Sequence, residues 1–98
     1  MKDLKDTVEL MNSSNYKQRM KAEYWQTKIR YEKLNRFLTK IEAVKAFNNG
    51  KWYPTETRDE PEHDCPYDLL NEQKHVMREY LHILEVRAEI EGVDLYEE

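Results

Sequence analysis

The chain has 98 residues, 39% of them hydrophobic and 37% charged, with a formal net charge of −4, two glycines, three prolines and one cysteine. That length fits one small domain and excludes the large enzyme folds. A chain this short removes only about 60% of its unfolded surface from water on folding, so association with further copies or with a partner is expected to add stability.

No run of about 18 apolar residues is present, and Met1 to Leu10 alternates charged with apolar residues, so neither a membrane span nor a signal core is expected. The lone Cys65 cannot close an internal disulfide, and no paired cysteine spacing offers a zinc site. Both features suit a reducing, cytoplasmic setting. A mean hydropathy of −1.05 borders on that of disordered chains. Regularly spaced aromatics favour folding instead.

In chain order, Leu4, Thr7, Val8 and Met11 step by three or four and predict a short amphipathic helix over 1–11. Asn12-Ser13-Ser14-Asn15 breaks it, and Asn15 with Gln18 has the spacing of a helix cap and its reciprocal partner. Tyr16, Met20, Tyr24, Thr27, Tyr31, Leu34, Leu38 and Ile41 then follow one face of a long helix over 16–47, and Asn48-Asn49-Gly50 supplies left-handed stop chemistry. Residues 48–65 hold Gly50, Pro54, Pro61 and a cluster of acids and read as a loop whose Trp52 and Tyr53 are expected to dock on the helices, with a partner contact as the alternative.

A second long helix is expected over 66–91, with Pro66 at its first position and Gly92 as its stop. Leu69, Leu70, Gln73, Val76, Met77, Tyr80, Ile83, Leu84 and Arg87 share its apolar face. The fold class is therefore all-α: an antiparallel two-helix hairpin with a short N-terminal helix, oligomerising to cover the rest of both rods. The expected pairing sets Phe47 near Tyr67, Leu34 near Tyr80, and Tyr24 near Arg87 and Ile90. Arg87 then either pairs with Glu23 to set the register or contacts a ligand.

Charge is unevenly distributed. Residues 16–47 carry nine basic and three acidic side chains, whereas 54–98 carry four basic and fourteen acidic ones. Complementarity between the two helices is one explanation. The other is an outward basic face, because Trp25 and Ile29 project roughly opposite the tyrosine stripe with Lys21, Lys28 and Arg36 at nearby angles. Either another subunit or the flat face of a base would cover that tryptophan. A net acidic chain is poorly suited to long duplex nucleic acid, where affinity follows the number of phosphates neutralised. A small anionic nucleotide suits it better.

Two distant glycines cannot form a phosphate-cradling loop, and Ser13 and Ser14 lack a nucleophile elbow, so no enzyme class is supported. Cys65 and His63 are too close in sequence to form a catalytic dyad. Glu72-x-x-His75 and Glu79-x-x-His82 repeat the local spacing of bundle metal sites, but they project more than about 100° from the apolar face. A solvated face of helical charge pairs accounts for them better. No cofactor is expected.

The segments Tyr16–Tyr24, Ile29–Leu34, Cys65-Pro66, Leu69-Leu70-x-x-Gln73 and Tyr80–Val93 resemble a family of small proteins encoded by crAss-like and other bacteriophages and by prophages. Its members have a shorter connection than Asn48 to Cys65. The resemblance implies a viral origin, a helical hairpin and the cytoplasm of an infected bacterial host. Small noncatalytic phage proteins often counter host defence, and several helical ones are oligomeric sponges for cyclic nucleotide or ADP-ribose-derived immune signals. By that analogy in class, the ligand contacts would be Lys21, Tyr24, Trp25, Lys28, Tyr31 and Arg36, with Arg87 across the hairpin. Two alternatives stay open: an acidic protein-binding inhibitor of a host defence enzyme, and a structural accessory protein.

Overall fold

The computed structural model describes residues 3–50 and 57–96. A 3-10 turn, Leu4–Thr7, runs into a single helical turn α1, Val8–Met11. Two long helices follow, α2 over Tyr16–Asn49 and α3 over Tyr67–Glu91, packed as an antiparallel hairpin. The result is a rod with extents of 59 × 25 × 22 Å. Trp52 and Tyr53, expected to dock on the helices, lie outside the described residues.

Local chemistry explains each boundary. Asn15 begins α2 by accepting from the Lys17 amide at 2.9 Å. Gln18 does not return to the Asn15 amide as a capping box would; it takes the Ser13 hydroxyl, and Ser13 in turn accepts from the Asn15 amide at 3.1 Å. The cap is therefore shared among three side chains. At the other end α2 extends to Asn49, and Gly50 sits at φ −87°, so the expected left-handed stop is absent there. Pro66 precedes α3 as its cap residue, and its carbonyl accepts from the Leu70 amide at 3.2 Å. Gly92 ends α3 in the left-handed region at φ 69°. The amides of Gly92 and Val93 both return to the Ala88 carbonyl, closing the overlapping turns that reverse a chain at a helix end.

Met20 and Tyr24 of α2 pack with Leu81, Leu84 and Ala88 of α3 and with Leu95 beyond it. Leu38 and Ile41 are fully buried further along α2. Ala22 and Ile29, on the opposite side of α2, are buried as well. The N-terminal turn and α1 pack on α2, and the Gln26 amide donates to the buried Thr7 hydroxyl at 2.9 Å.

The hairpin differs from the expected pairing in register and in rotation. Tyr16 to Glu91, Tyr24 to Glu85, Tyr31 to Arg78 and Tyr67 to Glu42 fix a register displaced by about one helical turn from the pairing of Tyr24 with Arg87 and Ile90. The expected apolar face of α3 also splits. Leu84 is buried, and Leu70 and Met77 are half-buried, whereas Leu69, Val76, Tyr80 and Ile83 are exposed. Their arc on α3 is wider than one neighbouring helix can cover.

Among the described residues no Lys or Arg pairs with an acid across the hairpin within 4 Å. The contacts between basic and acidic groups that are found are local: the His63 and His82 rings lie beside Glu60 and Glu85, and Arg87 pairs with Glu91. The expected Glu23–Arg87 pair is absent because Glu23 accepts from the Tyr80 phenol and Arg87 holds Glu91 one turn along at 3.2 Å. Phenol–carboxylate hydrogen bonds span the seam in place of salt bridges. The described part of the connection is fastened by Asn48, whose side chain bonds both the amide and the carbonyl of Arg58, at 3.0 and 3.1 Å, while the guanidinium covers the Phe47 ring.

Candidate functional site

Steps of four, four and three residues place Lys17, Lys21, Trp25 and Lys28 along one side of α2. Trp25 is half-buried, and the chain's own C-terminal turn covers part of it. The left-handed Gly92 directs residues 93–96 back across α2, and the Trp25 indole N–H donates to the Leu95 carbonyl at 2.6 Å. Leu95 is 4% exposed. Tyr24, Trp25 and Tyr96 meet edge to face with centroids 5.5 to 6.4 Å apart, the arrangement favoured by ring quadrupoles.

The sequence-predicted ligand residues divide into three groups. Lys21, Trp25 and Lys28 share the ridge just described. Tyr24 is fully buried, with its hydroxyl 2.8 Å from a Glu85 oxygen and 3.3 Å from the Tyr96 hydroxyl. Burial first, and then these two neighbours, push its pKa well up, so the phenol stays protonated. Tyr31 packs half-buried against the core and accepts from Arg78 at 3.4 Å. Arg36 stands exposed about 16 Å along α2 from Trp25. Arg87 is exposed on α3 and tied to Glu91. Among the described residues, no cleft that borders the C-terminal turn or the N-terminal turn gathers all seven.

Two clefts flank the C-terminal turn. The larger, about 640 Å³, has Glu85, Glu89 and Asp94 on its walls. Its carboxylates would repel a phosphate. The smaller, about 370 Å³, is lined by Lys17, Gln18 and Lys21 of α2, Leu10, and Gly92 to Asp94. The Lys17 ammonium donates to the Glu91 carbonyl at 2.9 Å, at the negative end of α3. Lys28 holds its ammonium 5.9 Å from the centroid of the Tyr24 ring. A third cleft of about 390 Å³, between the N-terminal turn and α2, carries Lys5 and Arg30 and is the most open of the three. Sequence reasoning missed Lys17, Gln18 and Leu10, and it gave residues 93–96 no role. Lys17 stands one turn before Lys21, and Val93, Leu95 and Tyr96 form an apolar trio behind a glycine stop; these were the available signals.

Glu72, His75, Glu79 and His82 are all exposed on α3, and among the described residues no three His, Cys, Asp or Glu side chains converge on one point. His63 donates through Nδ1 to the Cys65 carbonyl at 2.6 Å, and this contact, followed by that to Glu60, raises its pKa. That leaves its ring engaged with the Cys65 backbone.

A family model described as Sequestin matches residues 14–90, which spans α2, the connection and almost all of α3. The chain belongs to the Sequestin family. No curated protein and no solved structure matches it. The Sequestin match takes in the lysine ridge and ends before Gly92, so the cleft joins family-matched lysines to walls contributed by Leu10 and residues 92–94. Among the described residues no helix is long and apolar enough to cross a membrane.

Proposed function

We propose that this Sequestin sequesters a small anionic nucleotide of the cyclic oligonucleotide or ADP-ribose-derived type and holds it without chemical change. In this reading it serves a bacteriophage by removing an immune signal from the cytoplasm of the infected bacterium. Membership of a family named for sequestration supports the reading, and one observation carries it: a cleft in which Lys17 and Lys21 stand beside the apolar Leu10 and Val93. Two cations one turn apart suit a phosphate, and apolar walls suit a base or ribose. Lys28 and the exposed part of Trp25 extend the same ridge, while Tyr24 and Tyr31 support it from the core.

Calorimetric titration with a panel of cyclic di- and trinucleotides and cyclic ADP-ribose isomers tests the proposal. Binding by one class, with the ligand recovered intact after the protein is denatured, is the expected result. Lys17→Glu with Lys21→Glu should weaken that binding by at least about 100-fold, two lost charge-assisted contacts at about 1.5 kcal/mol or more each. Absence of heat from every member of the panel overturns it in favour of an acidic protein-binding inhibitor. Fourteen acids after Tyr53 and the carboxylate-walled cleft beside Tyr96 favour that second reading.

A further inference from the structure

The half of the α3 apolar arc that α2 leaves uncovered has a regular pattern. Leu69, Val76, Ile83 and Ile90 recur at intervals of seven and are 56%, 58%, 54% and 79% exposed. Gln73, Tyr80 and Arg87 stand four residues after the first three, so the two sets alternate along one stripe over almost the whole 25-residue helix. A sevenfold repeat is the period of a seam between two long helices, since it keeps the same side chains facing a partner helix. It does not suit a pocket for a small molecule. We propose that a second copy of this chain packs its α3 on this stripe, antiparallel, about a two-fold axis near Glu79 and Tyr80.

Charge selects both the occupant and its direction. With the axis at mid-stripe, the Leu69 end of one copy meets the Ile90 end of the other, and Arg87 comes level with Glu72 and Gln73 of its mate. A parallel pair would set Arg87 against Arg87 and align the two helix dipoles head to head. The stripe is thus complementary to itself when reversed. This dimer gives a specific face to the oligomer of the sponge reading, and it stands whether or not the ligand assignment does, because its test needs no ligand.

Light scattering of the full chain should give twice the 12.0 kDa chain mass, and Val76→Glu with Ile83→Glu should halve it while leaving the helical circular dichroism unchanged. Both positions face solvent within one chain, so the substitutions spare the hairpin core. In a Cys65→Ser background, Leu69→Cys with Ile90→Cys should be joined between chains by a short bifunctional thiol reagent. Ile90→Cys alone should not. A 12.0 kDa mass at every concentration, or a dimer that survives both glutamates, overturns the proposal. Efficient linking of Ile90→Cys to itself overturns the antiparallel direction.

Discussion

The indole of Trp25 and the backbone of Leu95 are joined by a hydrogen bond of 2.6 Å, so the aromatic on the lysine-bearing side of α2 is closed by a segment seventy residues away in sequence. Leu95 enters the same core as Met20, Tyr24 and Leu84. Deleting Leu95 to Glu98 removes both the lid and the buried leucine. In a Trp52→Phe background, which leaves Trp25 as the reporter, emission should move to longer wavelength, and stability should fall by about 2–3 kcal/mol, the burial value of one leucine. An unchanged emission maximum would place the tail elsewhere.

Tyr24 separates packing from hydrogen bonding at one position. Tyr24→Phe keeps the ring and removes the hydroxyl that meets Glu85 and Tyr96. Glu85 is part-exposed and recovers water, so the expected loss is about 1 kcal/mol. Tyr24→Ala empties a fully buried site and should cost about 3–5 kcal/mol. Urea unfolding of the two variants checks the ordering, and equal losses would mean that the ring contributes little.

The two long helices could be read from the chain because their chemistry is local: a tyrosine-led stripe at the helical period, Asn15 before one helix, Pro66 before the other and Gly92 after it. Register and rotation were not readable. Leu70, Met77 and Leu84 form one apolar line on α3, and Leu69, Val76 and Ile83 form another beside it; sequence gives no reason to bury the first and expose the second. Only the bulk of α2 and the position of the returning tail decide. The site shows the same split. Lys21, Trp25 and Lys28 follow from angular projection along one helix, but the wall made by residues 92–94 depends on a chain reversal after Gly92, and three apolar residues behind a stop have no period to reveal them.

The phenol–carboxylate bonds across the seam predict an alkaline limit. Hydrogen bonds to Glu91, Glu42 and Glu23 raise the pKa of Tyr16, Tyr67 and Tyr80 above 10.0, and burial does so for Tyr24. Between the unfolded value and the raised folded value, the unfolded chain has lost the proton that the folded chain keeps, so stability falls as pH rises. The contribution is complete below pH 10 and is lost above it. Phenolate absorbance should therefore lag behind that of free tyrosine and then rise together with the loss of helical circular dichroism. On the acid side the Tyr16 bond, aided by Arg87, lowers Glu91 below 4.5, and its support is lost as pH drops through that range.

The two glycines should respond differently to alanine although both end long helices. Gly92 lies at φ 69°, and a Cβ built there meets nothing within 4 Å. Its cost is purely that of holding an L-residue in the left-handed region, about 1–2 kcal/mol. Gly92→Asn should recover part of it, since asparagine tolerates that conformation. Gly50 has φ −87°, which any residue adopts, but its Cβ would stand 3.2 Å from the Ala46 carbonyl oxygen. The entropy lost from the unfolded chain, worth about 0.4–1 kcal/mol in favour of alanine, offsets that tight contact. Thermal melts should show Gly92→Ala well below the parent and Gly50→Ala close to it. Because residues 93–96 reach Trp25 only through the Gly92 reversal, Gly92→Ala should also shift Trp25 emission in the direction of the tail deletion, whereas Gly50→Ala should leave it unchanged.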